Sequence, residues 1–333
     1  MAHDIKIDVI TLQIKNTENG KFLNFDNFYT DPNEINEPDK LHSFNELFIE
    51  YIKSFDSKFV MQTKTGKALS LAEGNIKFYS RQRLIKGFIE GGTTGIGSKI
   101  KKENNISDDD AFQVTKDDVN AIPYYFILWM PEDSNLGLIL VQSLGSKTVT
   151  DIFKAHFRKF VSDFFENKVS VLLNDLVPKE MIEKTKKDGV INSVIFRRLH
   201  LPSDKAEKIL GLKYEGEDLT IEVKISGLKK IKGTKQMIMQ MINGESAALF
   251  DTSSLQDYGI DGQHETIVKF EHNGKTAQGK SSENFRLAPS YYIEEKDIER
   301  NEHNHPTRES IDKYCLSFLS AMKDEINYVP VNK

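Results

Sequence analysis

Cysteine is almost absent: of 333 residues only Cys315 carries a thiol, so no internal disulfide can staple the chain. It falls within an apolar helical pattern, where an inert core thiol is expected rather than a nucleophile. Long apolar runs are missing too. None approaches the roughly 18 to 20 residues needed to cross a bilayer. The opening MAHDIKIDVITLQI alternates like a strand instead of resembling a signal peptide, so a cytoplasmic location is expected. Internal repeats and low-complexity tracts are lacking, which sets aside solenoids and tract-like architectures. There is no GxSxG elbow and no Cys-His pair in a family-specific context. The sequence therefore names no reaction; it supports a binding protein, and neither a cofactor nor a metal site is expected.

What is present is enough to build a sizeable core. Hydrophobic residues make up 38% and charged residues 29%, and the length favours two domains over one. The clearest span is 121–165, AIPYYFILWMPEDSNLGLILVQSLGSKTVTDIFKAHFRKFVSDFF, which reads as strand, turn, strand and helix. Tyr124 to Met130 is a continuous apolar run closed by Pro131, and the apolar pattern resumes from Leu138 to Val141. Gly145 and Ser146 break the second strand, and Thr148 or Thr150 can cap a helix. Phe153, Phe157, Phe160, Val161 and Phe164 then recur at helical spacing, with Lys154, Arg158 and Lys159 on the other face.

Before this span, residues 5–14 alternate as a half-buried strand, and 16–38 read as a loop anchored by Phe22, Phe25, Phe28 and Tyr29. Phe44, Leu47, Phe48, Tyr51, Ile52 and Phe55 mark a helix with Ser43 as its cap, and short strands are expected near 59–62 and 75–79. The segment 81–102, RQRLIKGFIEGGTTGIGSKIKK, looks like a ligand loop, because glycines let backbone N–H groups converge on a phosphate. Gly92 and Gly97 have the spacing of a P-loop, but Ser98-Lys99 stands where Lys must precede Ser or Thr. A mobile hairpin or an interface loop is the expectation, with a phosphate-backbone contact as the intermediate reading. Residues 104–118, with Asp108, Asp109 and Asp110, read as a solvated connector without the turn glycine of a calcium loop.

After it, a short strand at 169–173, a helix from Pro178 to Gly189 and a strand or short helix at 190–199 bring in Arg197 and Arg198. The strand LTIEVKI at 219–225 runs into ISGLKKIKGTK, where Lys229, Lys230, Lys232 and Lys235 cluster. QMIMQMI at 236–242 reads as a buried helix turn, and 266–270 as a strand meeting the turn signal Asn273-Gly274. Pro306 and Thr307 open a last helix whose broad stripe, from Ile311 through Cys315 and Phe318 to Ile326, packs on the domain core or on a symmetry partner.

The formal net charge of -5 hides an uneven distribution. From Lys147 to Lys235 there are 19 Lys and Arg against 13 Asp and Glu, a local +6. A basic face on an acidic protein can bind phosphate backbones, and Lys154, Arg158, Lys159, Arg197, Arg198, Lys229, Lys230, Lys232 and Lys235 are its candidate residues. A solvated face of scattered lysines is the competing reading.

Two constellations bear on chemistry. Glu222-Val223-Lys224 matches half of a metal-dependent nuclease site, with Asp204 the nearest upstream carboxylate, although the surroundings of Asp204 look helical. Alternating charge on an exposed strand explains the same tripeptide. His303 and His305 have a spacing that suits a metal, but no further Cys or His cluster completes a tetrahedral site.

The order of FILWMPEDSNLGLILVQSLG, TVTDIF, LTIEVKI with its lysines, FRLAPSYYIEEKDI and the closing helix with Tyr314, Cys315 and AMKDEI resembles the RexA-like family of phage-exclusion proteins, over about half the chain. The DNA-binding component of the Kiwa defence system is similar in kind. The resemblance implies a self-associating, two-domain α+β protein that binds DNA with little sequence preference, as a homodimer, beside an integral membrane partner in antiphage defence. The expected division is an N-terminal domain of antiparallel sheet and packed helices, 1–168, and a basic α+β domain, 169–333. A nuclease effector and a sensor that binds a phage protein are the alternatives.

Overall fold

A computed structural model describes residues 3–28, 43–94, 97–101, 103, 107, 111–177, 179–213, 216, 219–228, 233–242, 253–258, 260, 264–272, 275–283 and 291–326. The fold is α+β, with antiparallel sheets. The chain divides into unit 1, Met1–Leu176 with Tyr291–Lys333, and unit 2, Val177–Ser290. This corrects the boundary expected at residue 168. The second unit is an insertion, because the chain returns to the first sheet after it.

Unit 1 contains β1 (Ile5–Asn16), β2 (Phe22–Leu23), α1 (Phe44–Lys53), β3 (Val60–Gln62), β4 (Lys67–Ser70), β5 (Ile76–Tyr79), β6 (Leu84–Thr93), β7 (Ser98–Ile100), β8 (Phe112–Val114), β9 (Asn120–Trp129), β10 (Gly137–Leu144), α2 (Thr150–Phe164) and β11 (Val169–Asp175). Unit 2 contains α3 (Lys179–Asp188), β12 (Val190–Arg198), α4 (Ser203–Leu210), β13 (Ile221–Ser226), α5 (Thr234–Ile242), β14 (Glu265–His272) and β15 (Lys275–Lys280). The chain then re-enters unit 1 with β16 (Tyr291–Tyr292) and α6 (Arg308–Glu325).

Seven strands of the large sheet run in the order β11-β1-β10-β9-β6-β4-β3, with β2 and β16 pairing β1 and β5 pairing β6. The apolar run of β9 is continuous because both faces of the sheet are covered. Tyr124, Phe126 and Leu128 face a core shared with α1 and α2, while Tyr125, Ile127 and Trp129 face a second core under α6. Strand β1 divides its loyalties along its length. Ile5, Ile7 and Val9 enter the core under α6, and Ile10, Leu12 and Ile14 the opposite one. Each such fully buried side chain contributes roughly 1.5–3 kcal/mol. The stripe of the closing helix is thus accounted for: Ile311, Cys315, Phe318, Leu319 and Met322 are buried against the sheet of unit 1. Burial raises the Cys315 thiol far above its ordinary range, which keeps it protonated and inert.

The glycine-rich segment 81–102 is not a loop at its centre. Gly87, Gly91 and Gly92 lie inside the ten-residue strand β6, between β4 or β5 on one side and β9 on the other. A Cβ on Gly87 would lie 2.1 Å from the Asn75 carbonyl oxygen, one on Gly91 1.9 Å from Val149 Cγ1, and one on Gly92 2.2 Å from the Asn120 carbonyl oxygen. Close approach by neighbouring backbone and by the residue preceding α2 explains these glycines, so the phosphate-cradle reading fails for them. Downstream, β7 and β8 form a separate two-stranded sheet, which places a strand within the expected connector 104–118. Residues 104–106 and 108–110 lie outside the described residues.

In unit 2 the sheet runs β13-β12-β14-β15. One face, bearing Val194, Phe196, Val268, Phe270 and Ala277, forms its core with Ile238 of α5. Of the methionines expected to be buried there, Met237 is 50% exposed, so α5 turns only part of its surface inward.

Candidate nucleic-acid interface

The basic series divides between the units. Lys154, Arg158 and Lys159 lie on α2 in unit 1, where the sequence placed them, but all three have internal partners. Lys154 Nζ is 2.7 Å from Asp175 Oδ1, with its side chain 12% exposed, and Arg158 Nη2 donates to the Leu173 carbonyl at 2.5 Å. Both bonds fasten α2 to β11. Lys159 is exposed and pairs with Asp163 one turn on, a solvated contact worth at most about 1 kcal/mol.

The remaining candidates belong to unit 2. Arg197 lies on β12 between Glu222 of β13 and Glu265 of β14, directly opposite both in register, and forms ion pairs with each. Arg198 points to the other face and is buried. Lys229, Lys230 and Lys232 lie outside the described residues. Lys235 opens α5, and its Nζ donates to the Lys187 carbonyl oxygen at 2.6 Å. That oxygen is at the C-terminal end of α3, where the helix dipole favours a cation.

This bond brings together two basic segments 48 residues apart. The last turn of α3 contributes Lys186, 3.3 Å from Glu183, and the exposed Lys187. Nothing in the local pattern of the α3 lysines joins them to Lys235. The signal lay only in the meeting of Lys235 with the end of α3, a contact between residues 48 apart.

The nuclease constellation takes a different form. Glu222 and Lys224 do share the exposed side of β13, as the alternation requires. The Glu222 carboxylate, however, is held by Arg197, and Asp204 stands in the first turn of helix α4 instead of on a strand. Among the described residues no group of three His, Cys, Asp or Glu side chains comes together to hold a metal ion. His303 and His305 occupy a tight turn in which both their backbone N–H groups donate to Asn301 Oδ1. Burial, reinforced by His303, Arg300 and Lys147, lowers the His305 pKa. Among the described residues no helix is long and apolar enough to cross a membrane. No protein-family model matches the chain, and no curated protein matches it significantly.

Proposed function

We propose that this chain binds DNA through the phosphate backbone with little sequence preference, as a homodimer in antiphage defence beside an integral membrane partner. The observation that carries the DNA reading is the Lys235–Lys187 contact, which gathers Lys186, Lys187 and Lys235 at one corner of unit 2. The segment holding Lys229, Lys230 and Lys232 leads directly into that corner in sequence. Charge partition supports the same reading: unit 2 has 18 Lys and Arg against 16 Asp and Glu, a net +2, while unit 1 has 27 against 34, a net -7. Lysines act on phosphate as point charges and carry no base information, so binding is salt-sensitive and sequence-tolerant. The defence setting, the dimer and the membrane partner rest on the RexA-like resemblance of the hairpin, lysine-rich and closing-helix segments.

Fluorescence anisotropy on unrelated duplexes tests the proposal. Binding should be similar across sequences and weaken steeply with salt, and the Lys186→Glu/Lys187→Glu/Lys235→Glu variant should lose it. No binding at low salt, or wild-type affinity in the triple variant, rejects the reading.

A further inference from the structure

Tyr51 of α1 is completely buried among Phe48, Phe55, Phe153 and Phe157, yet it carries a hydroxyl that requires a partner. His156 Nδ1 on α2 lies 3.1 Å from that hydroxyl. Burial raises the phenol well above its ordinary range, so it keeps its proton. Burial, and secondarily Lys159, lowers the His156 pKa, which favours a neutral imidazole. Of the two neutral tautomers, the one protonated on Nε2 satisfies this pair, with Tyr51 O–H donating to the Nδ1 lone pair. The other would set Nδ1–H against the phenol oxygen and leave the phenolic hydrogen without an acceptor. The ring edge away from Tyr51 therefore carries an N–H donor.

His156 lines a groove of about 660 Å³ between α2 and β3, the last strand of the sheet path. The groove is open to solvent along one side, so it would cover one face of a small ring system and leave the other exposed. Its walls are Val60, Met61, Ile152, Phe160 and Phe164. Met61 and Phe164 are 40% and 43% exposed, large apolar surface left to solvent at one place. Lys159 and Asp163 stand at the same groove, paired to each other in solvent, where such a pair exchanges readily for a better partner. A donor and a cation beside aromatic and thioether walls select an anionic acceptor on an aromatic body.

We propose that this groove binds a small aromatic carboxylate, its ring against Phe160, Phe164 and Met61 and its carboxylate on His156 Nε2–H and Lys159. The site shares no residue with the basic corner of unit 2 and stands or falls independently of the DNA reading.

Calorimetric titration of the full chain with naphthoate tests it, and one saturable site per chain is expected. Ala155→Trp, at an exposed position lining the groove, should weaken binding at least about tenfold by filling the space. Lys159→Met should weaken naphthoate by about tenfold and leave the neutral analogue naphthalenemethanol unaffected. A thermal melt checks that each variant is folded; should Ala155→Trp fail to fold, the exposed Lys159→Met decides. Absence of saturation at millimolar naphthoate, unchanged affinity in either folded variant, or octanoate binding as tightly as naphthoate overturns the proposal.

Discussion

The two units share out their cations differently between internal ties and exposed surface. In unit 1 cations are turned inward as ties. Lys86 Nζ donates to both carboxylate oxygens of Asp312, at 2.8 and 2.9 Å, and sits over the Tyr79 ring. Lys154 and Arg158 fasten α2 to β11, and Lys323 lies 4.4 Å from the centre of the Trp129 ring. In unit 2 Arg197 is tied in the same way to Glu222 and Glu265, but a smaller sheet leaves Lys186, Lys187 and Lys235 at a corner where Lys235 caps α3. A charge count along the chain treats these alike, and only their partners tell them apart. The lesson is that internal partners decide how much of a basic segment is left for a ligand: Lys186 pairs with Glu183 and Lys235 with a carbonyl, but both stay partly exposed beside the exposed Lys187.

The strongest way to separate the units is to break one without touching the other. Gly92→Ala would place a Cβ 2.2 Å from the Asn120 carbonyl oxygen, a backbone atom that cannot swing aside. A loss of about 3 kcal/mol is expected in unit 1. Trp129, the sole tryptophan, lies in β9 of unit 1 and reports that transition by fluorescence in urea. Hydrogen exchange should show amides of β12 and β14 protected as in the wild type. Equal loss of protection in both units would mean that they unfold as one body, and the comparison would fail.

The next effect bears on the basic corner. Reversing Lys186, Lys187 and Lys235 together should reduce duplex affinity about a hundredfold at low salt and lower the slope of log affinity against log salt by roughly 2.7. Lys159→Glu in unit 1 should leave both unchanged. A larger effect from Lys159 than from the unit 2 triple would move the interface to α2 and invert the assignment of roles.

These two predictions also mark what the sequence could and could not convey. Strands β9 and β10 and helix α2 were legible because apolar runs and helical spacing are local signals. So were the Ser43 cap, which forms a capping box with Glu46, and the opening of α6 at Pro306 and Thr307, where Thr307 proves to be the cap. Gly87, Gly91 and Gly92 were not, since in a linear pattern glycine signals a loop. Their actual cause, the backbone of Asn75 and Asn120 and the side chain of Val149, is remote or indirect in sequence. The domain division was missed for a similar reason: β11 and α6 carry no mark of the sheet they join, and only pairing such as Ile14 with Val171 reveals it. The meeting of Lys187 with Lys235 is likewise a fact of tertiary structure. The groove beside His156 was invisible because Phe153, Phe157 and Phe160 all read as one helical stripe, whereas Phe160 lines a groove that the other two do not.

A smaller effect tests whether the inward cations of unit 1 are structural. Lys86 and Asp312 have side chains only 12% and 28% exposed, and Tyr125 also donates to Asp312. Lys86→Met should cost about 2 kcal/mol in the Trp129 transition, because it leaves a largely buried carboxylate short of a partner. The double variant Lys86→Met/Asp312→Leu should recover much of that loss. If the double variant is as unstable as the sum of the singles, the pair is not the tie between α6 and the sheet.

The smallest effect separates the units by the variable that moves each. Unit 2 is expected to respond to salt through DNA affinity, while unit 1 should respond to acid through His156. Because burial lowers the folded-state pKa of His156 below its ordinary 6.5, the unfolded chain binds more protons than the folded one as the pH falls. The contribution to stability is therefore fully present above 6.5 and is lost progressively below it, as the proton on Nδ1 displaces the Tyr51 hydroxyl bond. His305, lowered in the same direction, adds to the slope. His156→Gln should flatten in part the limb of the Trp129 transition just below 6.5, and adding His305→Gln should flatten it further, while Glu295 and Asp118, whose carboxyls are held below their ordinary range, keep a slope at lower pH. A limb as steep in the double variant as in the wild type would show that other groups drive the acid response, and would remove the neutral imidazole on which the donor facing the groove depends.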